Sequence, residues 1–583
     1  MRTLVISSIQ DFWPTNDPIL FLDESCLKYE SRHVWEKLDF EVVKLIVDNQ
    51  KTNDADYEVF SKLYNSIFPD LVSFLGSYHN VTHSDRYWRI VIDHWLLRTI
   101  DLIQLRYNRI EEALAFKSVN EVIVPSRRVI EQPASTSSDF YHATYDESFS
   151  ALVNGEAIRI LALKFDGVQV KEQSLKIDSF AEIELVVASR SKIKIVLESL
   201  AASLSRIVGR DTDAFFLNTY LPRFKEFLLQ ISFGQAPAIY KVPTCKPNLS
   251  DLKTRNLYLG SSQSSTALEN CVRSLILQLI PRCYLEDYQT INHLADEIPW
   301  PKNPKFICTA NDYDGNDFFK IWAAKKVERG TPYYVIQHGN FFESYRYLIA
   351  PEINYSDRYL TWGWNHKANC APGFVVRGTV RRSDKYKKSG TLLIMAAYLK
   401  TETGAETKVE WNSLQISEQK KFLKLLNSEV QEKIVFRILK RDLRLPETLK
   451  SWKDFFAGAK IDFSIESSDR SFRKSLMRSR VAVFAYYSTG YLECLAADKP
   501  AICFWQNSLN FLSDDVVDDF KQLERVGLIH FTPESAAKHV NKHWDDVLSW
   551  WNEPEVERVR QDFANKYARY SSQPIRDMKK LLT

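Results

Sequence analysis

The sequence lacks the patterns of disulfide-rich, zinc-binding and membrane-spanning proteins. None of its eight cysteines pairs with another at C-x-x-C spacing, which excludes a zinc or redox site of that type and predicts reduced, mostly buried thiols. No stretch approaches the roughly 20 apolar residues that a membrane-spanning helix requires. The first residues are typical of a short strand and lack the apolar run of a signal peptide. These absences predict a cytoplasmic chain, with peripheral contact at the inner membrane left open.

A large charge of either sign is also missing. The chain has 77 Lys and Arg against 74 Asp and Glu, a formal net charge of +3, far from the basic excess of a dedicated nucleic-acid binder. We therefore expect no nucleic-acid partner. At 583 residues the chain is longer than the roughly 250 to 300 residues that one hydrophobic core supports, so two or more domains are predicted. The oligomeric state is left open.

Strands and helices alternate in two parts of the chain, which predicts parallel sheets. Residues 305–309, 317–329 and 332–337 have the patterns of a strand, a helix and a strand, and together predict a βαβ unit. Further strand and helix pairs follow residue 390. We expect an α/β fold with two Rossmann-type domains facing a cleft, the first of which carries a large helical elaboration.

The boundaries of these domains follow from the same pattern. We assign residues 1–380 to the first domain, 381–555 to the second, and 556–583 to a C-terminal helix that packs back on the first. The polar run at 132–139 predicts an exposed loop or linker.

The first candidate site follows the predicted strand at 332–337. Ligands bind at the carboxyl ends of strands in open α/β sheets, so Gln337-His338-Gly339 places an imidazole where a reacting hydroxyl can lie. Histidine titrates near working pH and can take the proton of an alcohol. Gly339 allows the backbone to approach a ligand closely. The alternative is that His338 satisfies a buried hydrogen bond.

The second candidate site, Ser488-Thr489-Gly490, lies between a strand and a helix of the second domain. Hydroxyls and free amides at a helix N-terminus attract an anion, so these residues are candidates for holding a phosphate. Glu493, one turn into the helix, is placed to accept hydrogen bonds from ribose hydroxyls. The alternative is a capping box, in which Ser488 or Thr489 is the cap and Glu493 is solvated.

Two further clusters give weaker signals. Arg437 and Lys440, at another strand end, provide positive charge for a diphosphate or carboxylate, and a solvated loop is the alternative. Asp312 and Asp314 lie in an acidic loop that lacks the downstream Glu of a calcium loop, so no metal site is predicted. One of these two carboxylates is instead a candidate catalytic base or nucleophile.

The same segments, with others along nearly the whole chain, resemble a family of transferases from bacterial lipopolysaccharide and capsule gene clusters. The matching segments are Pro18-Ile19-Leu20-Phe21-Leu22 with Cys26, His83-Ser84-Asp85-Arg86-Tyr87-Trp88-Arg89, Asp317-Phe318-Phe319-Lys320-Ile321-Trp322-Ala323-Ala324, Gln337-His338-Gly339, Ser356-Asp357-Arg358-Tyr359-Leu360-Thr361-Trp362-Gly363-Trp364, Ser488-Thr489-Gly490-Tyr491-Leu492-Glu493 and Trp550-Trp551. Each piece is short, but their order and number make the resemblance specific.

The resemblance implies a GT-B-like glycosyltransferase of surface-glycan synthesis. The first domain is then expected to bind a glycan or glycolipid acceptor and the second a nucleotide-sugar donor, with no cofactor beyond that substrate and no required metal. More distantly, the chain is similar to transferases that use CMP-activated ulosonic acids of the Kdo, sialic or pseudaminic type. In those relatives a Ser/Thr pair before a helix holds the donor phosphate, and Ser488 and Thr489 occupy that place.

The sequence departs from these relatives at three points. It contains no His-Pro pair, which CMP-using relatives often carry for the same phosphate. Asn340 follows Gly339 where a second glycine is usual, and Asp93-His94 precede Trp95 where Gly-Pro is expected. The donor nucleotide and the acceptor therefore stay open. A nucleotide-sugar epimerase, an alditol-phosphate transferase and a non-catalytic glycan-assembly protein are the alternative functions.

Overall fold

A computed structural model describes most of the chain. The described residues are 2–14, 17–43, 50–116, 119–126, 132–175, 209–243, 248–260, 266–340, 342, 344–377, 382, 386–396, 409–438, 446–467, 471–505, 509 and 512–583. Seven of the eight cysteines lie among them, and these seven are buried and form no disulfide, as expected. None of the described helices combines the length and the apolar content that a bilayer crossing demands.

Sixteen strands of the described chain form three sheets in which every neighbouring pair is parallel. The first sheet contains β1 (Arg2–Val5), β2 (Ile19–Phe21), β3 (Phe40–Val42), β4 (Val119–Pro125) and β5 (Gln169–Gln173). The second contains β6 (Phe215–Leu217), β7 (Ile307–Thr309), β8 (Tyr333–Ile336), β9 (Arg358–Thr361) and β10 (Cys370–Pro372). The third contains β11 (Thr391–Met395), β12 (Ile434–Ile438), β13 (Ser464–Ser467), β14 (Ser479–Phe484), β15 (Ala501–Phe504) and β16 (Ile529–His530).

The strand orders identify the architecture. The third sheet has the order β13-β12-β11-β14-β15-β16, which is the Rossmann order, and the first sheet has the same order without its last strand. The second sheet runs β10-β9-β8-β7-β6. The predicted α/β class with Rossmann-type parallel sheets is therefore confirmed. The sequence did not predict that the first 380 residues form two sheets. Strands β5 and β6 had no clear strand pattern and lie in a region that was expected to be mainly helical.

The helices lie between and around these sheets. In chain order they are α1 (Arg32–Trp35), α2 (Gln50–His79), α3 (Asp85–Leu114), α4 (Ser137–Ala143), α5 (Glu147–Leu161), α6 (Arg223–Ser232), α7 (Leu252–Arg255), α8 (Ala267–Leu279), α9 (Tyr288–Glu297), α10 (Asp312–Gly315), α11 (Asp317–Glu328), α12 (Pro351–Tyr355), α13 (Val409–Leu425), α14 (Ser428–Gln431), α15 (Pro446–Ala459), α16 (Phe472–Leu476), α17 (Thr489–Ala496), α18 (Val517–Arg525), α19 (Pro533–His543), α20 (Val547–Trp551), α21 (Pro554–Tyr567) and α22 (Pro574–Leu582). Short 3-10 turns connect several of them.

Helix α3 is the central helix of the first 380 residues. Ser84 caps it by accepting a hydrogen bond from the backbone N–H of Tyr87. The helix packs against α2, α5, α8, α11 and α12, and most of its 30 residues are buried, as expected for a helix in the interior of a large protein. Trp88 and Trp95 are core residues. Polar side chains on this helix are therefore held in a dry environment close to the second sheet.

The expectation of an exposed linker at 132–139 is wrong. Thr136 and Asp139 form a capping box that starts α4. Ser137 is buried, and its backbone N–H and its hydroxyl both donate to the carboxylate of Asp317 at the start of α11. The polar residues of this run therefore cap a helix and stabilise a buried charge, two uses that composition does not distinguish from an exposed loop.

The helical patterns after residue 390 also differ in detail from the prediction. Residues 417–431 have a sequence pattern that predicts one helix, but they span two helices, α13 and α14, and no pattern indicated the pair α15 and β13. At the end of the chain, α22 packs against α6, and its Met578 and Leu582 share a hydrophobic cluster with Leu229 of α6. The domain boundaries stay predictions.

Candidate active site

The carboxyl edges of the second and third sheets meet at the loops that follow β8 and β14. Asn340, after β8, donates from Nδ2 to the carbonyl of Tyr487 over 2.8 Å and from its backbone N–H to Oγ1 of Thr489 over 3.3 Å. The Thr489 hydroxyl donates in return to Oδ1 of Asn340 over 3.0 Å. The two segments singled out in the sequence, around residues 338 and 488, are therefore in direct contact.

A buried glutamine holds the loop after β8 in shape. The Oε1 atom of Gln337 accepts hydrogen bonds from the backbone N–H of Trp362 over 2.9 Å and from Nε1 of Trp364 over 2.8 Å. Its Nε2 donates to the carbonyl of Gly339 over 2.8 Å. Because both ends of this amide are bound, the intervening residue, His338, has a defined position at the end of the strand.

His338 is half-buried and hydrogen-bonded. Its Nδ1 lies 2.7 Å from the hydroxyl oxygen of Tyr313, and its ring makes an edge contact with Phe342 at 5.1 Å between centroids. Burial lowers the pKa of the imidazole to about 4, and the positive charges of Arg98 and Arg377 act in the same direction against the opposite effect of Asp314. The ring is therefore neutral at pH 7 and able to accept a proton.

A carboxylate bound to an arginine lies beside this histidine. Both oxygens of Asp314 accept from the guanidinium of Arg98, with 3.1 Å between Nη2 and Oδ2. Burial opposes ionisation of Asp314, but Arg98 and His94 outweigh it and hold the pKa of the carboxyl well below its usual range. His94 Nδ1 lies 4.0 Å from Oδ1 of Asp314. The negative charge of Asp314 is therefore permanent and fixed in position.

A second carboxyl group lies on the far side of His94. Burial raises the pKa of Glu352 to about 8, and its Oε2 lies 3.4 Å from Nε2 of His94. Burial also lowers the pKa of His94 to about 3. Near neutral pH the carboxyl proton accordingly resides on Glu352, and His94 is neutral.

Asp312 is the first residue of α10, three residues after the end of β7, and it faces the loop after β6. Its Oδ1 accepts from Nδ2 of Asn316 over 2.7 Å. Burial raises the pKa of Asp312, against hydrogen bonds from Asn316 and Asn218 that lower it. In the loop after β6, Asn218 and Tyr220 both adopt left-handed backbone conformations, with φ of 50° and 61°. The Arg377 guanidinium lies 5.1 Å from the centre of the Tyr220 ring.

On the other edge, Ser488 caps α17. Its side chain accepts from the backbone N–H of Tyr491, so the capping alternative raised from the sequence describes this residue correctly. Gly490 is required for packing, because a Cβ there would lie 2.9 Å from Cε1 of Phe484. The first N–H groups of a helix have no partner within it, so those of Thr489 and Gly490 remain an anion-attracting feature.

Comparison with known proteins places the chain in a family. A model of the family described as "LIC12162 family transferase" matches residues 2–582. The chain belongs to the LIC12162 family of transferases. The expectation of a transferase is confirmed at this level.

The other comparisons do not refine the family assignment. No curated protein matches the sequence significantly. Among solved structures, MurG of Acinetobacter baumannii is similar at 12% identity and a TM-score of 0.28, over 51% of this chain and 76% of that one.

The remaining predicted site residues of the LIC12162 family transferase are less open to a ligand. Arg437 is buried, 2.8 Å from Glu466 and 2.9 Å from Oγ of Ser475, so its charge is already paired. Glu493 is buried within α17. Contacts of Arg437 and Glu493 with a donor stay predictions. They require the residues that bury these two side chains to move apart. Lys440 lies outside the described residues.

Two candidate site residues of the transferase, Tyr313 and Arg98, were missed in the sequence. Tyr313 lies between the two candidate aspartates, yet only the fold shows that it contacts His338. His94 and Arg98 are four residues apart on α3, a spacing that predicts a shared helix face but not its partner. Among the described residues, no group of three or more His, Cys, Asp or Glu side chains is arranged to hold a metal ion. The metal-independent reaction stays a prediction.

Proposed function

We propose that this transferase is a glycosyltransferase that moves a sugar from a nucleotide-activated donor to a glycan or glycolipid acceptor of the cell surface. The observation that carries the proposal is the contact between the His338 loop and the first turn of α17, through Asn340 and Thr489. A candidate base and a candidate phosphate-holding helix start are therefore adjacent. Holding two substrates side by side supplies much of the rate of a transfer reaction.

In the proposed reaction, Nε2 of His338 takes the proton of the acceptor hydroxyl. The hydroxyl oxygen of the acceptor forms a bond to the anomeric carbon of the donor sugar. The bond from that carbon to the donor phosphate breaks, and its electron pair leaves with the nucleotide. The tautomer that leaves Nε2 unprotonated has Nδ1–H donating to Tyr313, whose hydroxyl thereby orients the base. The N–H groups of Thr489 and Gly490 stabilise the charge that develops on the phosphate.

The two aspartates receive different roles in this proposal. Asp314 is ion-paired with Arg98 and holds its proton weakly, so we propose that it orients the neighbouring histidines by its charge. Asp312 has a raised pKa and is the alternative base.

The finer assignments rest on the resemblance of the sequence. We propose a CMP-activated ulosonic acid as the donor class, because Ser488 and Thr489 occupy the place of the phosphate-holding pair. Residues 1–380 then bind the acceptor and 381–555 the donor, with 556–583 returning to the first part. The proposed location is the cytoplasm, at or near the inner membrane where glycolipid acceptors are found.

A nucleotide panel tests the donor site. One of CMP, CDP, UDP and GDP should raise the unfolding temperature by a few degrees, since a ligand at 100 times its Kd stabilises by about 2.7 kcal/mol. Thr489→Val keeps the side-chain shape but removes the hydroxyl that bonds Asn340, and should weaken that nucleotide about tenfold. Differential scanning fluorimetry measures both effects.

Thr532→Val is the matched control, because Thr532 caps α19 at the edge of the same sheet and should not affect nucleotide affinity. No response to any of the four nucleotides contradicts the donor site and favours a non-catalytic assembly role. A selective response without glycosyl transfer favours an epimerase or an alditol-phosphate transferase.

The pH dependence of transfer tests the base. Because burial lowers the pKa of His338 to about 4, the imidazole should stay neutral and active as the pH falls through 6.5. The acid limb of kcat/KM is expected near pH 4 to 5, where proton uptake removes the base. Arg377→Ala removes a nearby positive charge and should move this limb upward by a fraction of a pH unit. An acid limb at pH 6.5 in both enzymes would contradict the assignment of His338.

A further inference from the structure

Helix α6 carries apolar side chains on the side that faces away from the core. Leu229 is buried, whereas Phe224 and Ile231, seven positions apart on the opposite face, are 71% and 53% exposed. Phe227 and Leu228 lie on the same outward face, and neither belongs to a hydrophobic cluster formed by the described residues. A surface helix of a globular protein normally presents polar residues outward. Within the part of the chain that the structure describes, the outward face of α6 is therefore an apolar surface without a hydrophobic partner.

Basic side chains flank this apolar face. Lys579 of α22 donates to the carbonyl of Ser232, and the amino groups of Lys579 and Lys305 lie 5.7 Å and 5.9 Å from the ring of Phe233. The basic residues of α6, α22 and the adjacent loop are Arg223, Lys225, Lys305, Arg576, Lys579 and Lys580. The acidic residues of the two helices are Glu226, which is hydrogen-bonded to Thr219, and Asp577, which is hydrogen-bonded to Ser571. Positive charge is therefore concentrated here, in a chain whose net charge is only +3.

We propose that α6 and α22 form a surface that binds a lipid bilayer carrying anionic phospholipid headgroups. The apolar face of α6 enters the boundary between headgroups and acyl chains, and the flanking Lys and Arg side chains bind the phosphates. A second copy of the chain fits less well, because a two-fold contact at α6 would bring the same basic residues of both copies together.

The position of this surface connects it to the candidate active site. Tyr220 lies in the loop that faces Asp312, and helix α6 begins three residues after it. Arg377 lies between Tyr220 and the surroundings of His338. A bilayer bound at α6 would therefore bring a lipid-anchored acceptor to the carboxyl edge of the second sheet. This last step rests on the proposed function, whereas binding of the bilayer does not.

Vesicle sedimentation tests the proposal without any substrate. The full-length protein should sediment with phosphatidylcholine vesicles that contain one-third phosphatidylglycerol, and much less with phosphatidylcholine alone or at 0.5 M NaCl. The double variant F224S/I231S should bind at least about tenfold more weakly, because it removes the apolar insertion. R576E/K580E, which reverses two exposed charges on α22, should lose the dependence on phosphatidylglycerol. The variants alter exposed side chains, so their unfolding temperatures should match that of the parent.

Matched controls separate this surface from general stickiness. Leu163→Ser removes an apolar side chain that is 88% exposed outside α6, and Lys538→Glu reverses an exposed charge on α19. Both should bind vesicles like the parent. Equal binding by the parent and F224S/I231S overturns the proposal, as does concentration-dependent dimerisation of the parent that F224S/I231S abolishes. A parent protein that binds vesicles but transfers no sugar would argue against the proposed function and not against the bilayer-binding surface.

Discussion

Replacing His338 with Gln is expected to lower kcat/KM for glycosyl transfer by about 10²- to 10⁴-fold, the usual contribution of a general base. Glutamine has a similar size and can hydrogen-bond Tyr313, but it cannot take the proton of an acceptor hydroxyl. The donor phosphate is proposed to bind at Thr489 and Gly490, so the Kd of the nucleotide should change less than about twofold. Initial rates and nucleotide titrations of the same preparation measure the two quantities.

Two companion variants sharpen this experiment. Tyr313→Phe keeps the ring but removes the hydroxyl that orients His338, and should reduce kcat by about tenfold while moving the acid limb of the pH profile. His293→Gln alters an exposed histidine on α9 and should have no effect. If His338→Gln kept full activity, the base would be Asp312 and not His338. Loss of the folded state in that variant would show that the histidine is structural.

Replacing Lys320 with Met is expected to reduce the free energy of unfolding by about 3–5 kcal/mol, the range for removing one partner of a buried ion pair. Lys320 is buried, 2.7 Å from the equally buried carboxylate of Asp317, and it also donates to the carbonyl of Asp314 over 2.9 Å. Without it, neutral donors such as Ser137 and Tyr284 would have to stabilise the charge of Asp317 by hydrogen bonds. Chemical denaturation followed by tryptophan fluorescence should show an earlier midpoint.

The same helix provides the control. Lys325→Met on α11 removes an ion pair with Asp296, whose side chain is 54% exposed, and hydrogen bonds to Asn292, and should cost less than Lys320→Met because water can solvate the remaining carboxylate. The double variant D317N/K320M removes both charges and should recover part of the stability lost in Lys320→Met. A loss below about 1 kcal/mol in Lys320→Met would show that Asp317 does not depend on this ammonium group.

The local alternation of apolar strands and helices was sufficient to predict parallel sheets in both parts of the chain. It also predicted that His338 and Ser488 follow strands, because a strand end is visible in the sequence as the point where an apolar run gives way to polar residues and glycine. The division of the first 380 residues into two sheets was not predictable in this way. Its strands β3 and β6 have three residues each and leave little pattern beside long helices.

The polar residues around the site illustrate the same limit. Composition favoured an exposed linker at 132–139, yet Ser137 is buried against Asp317. Arg437 was a candidate either for binding a donor or for a solvated loop, and in the structure it is paired with Glu466 of the neighbouring strand β13. In each case the partner lies on an element that the local pattern does not specify, so the choice between solvated and paired could not be made from the sequence.

The sequence by itself determined the α/β class, the strand-end positions of the two candidate motifs and the family to which the transferase belongs, because these depend on local patterns and on their order along the chain. Only the tertiary structure decided that Asn340 contacts Thr489, 149 residues away, and that Arg98 forms an ion pair with Asp314 beside His338. It also decided that His338 is neutral at pH 7, since desolvation depends on what packs around a side chain and not on its neighbours in sequence.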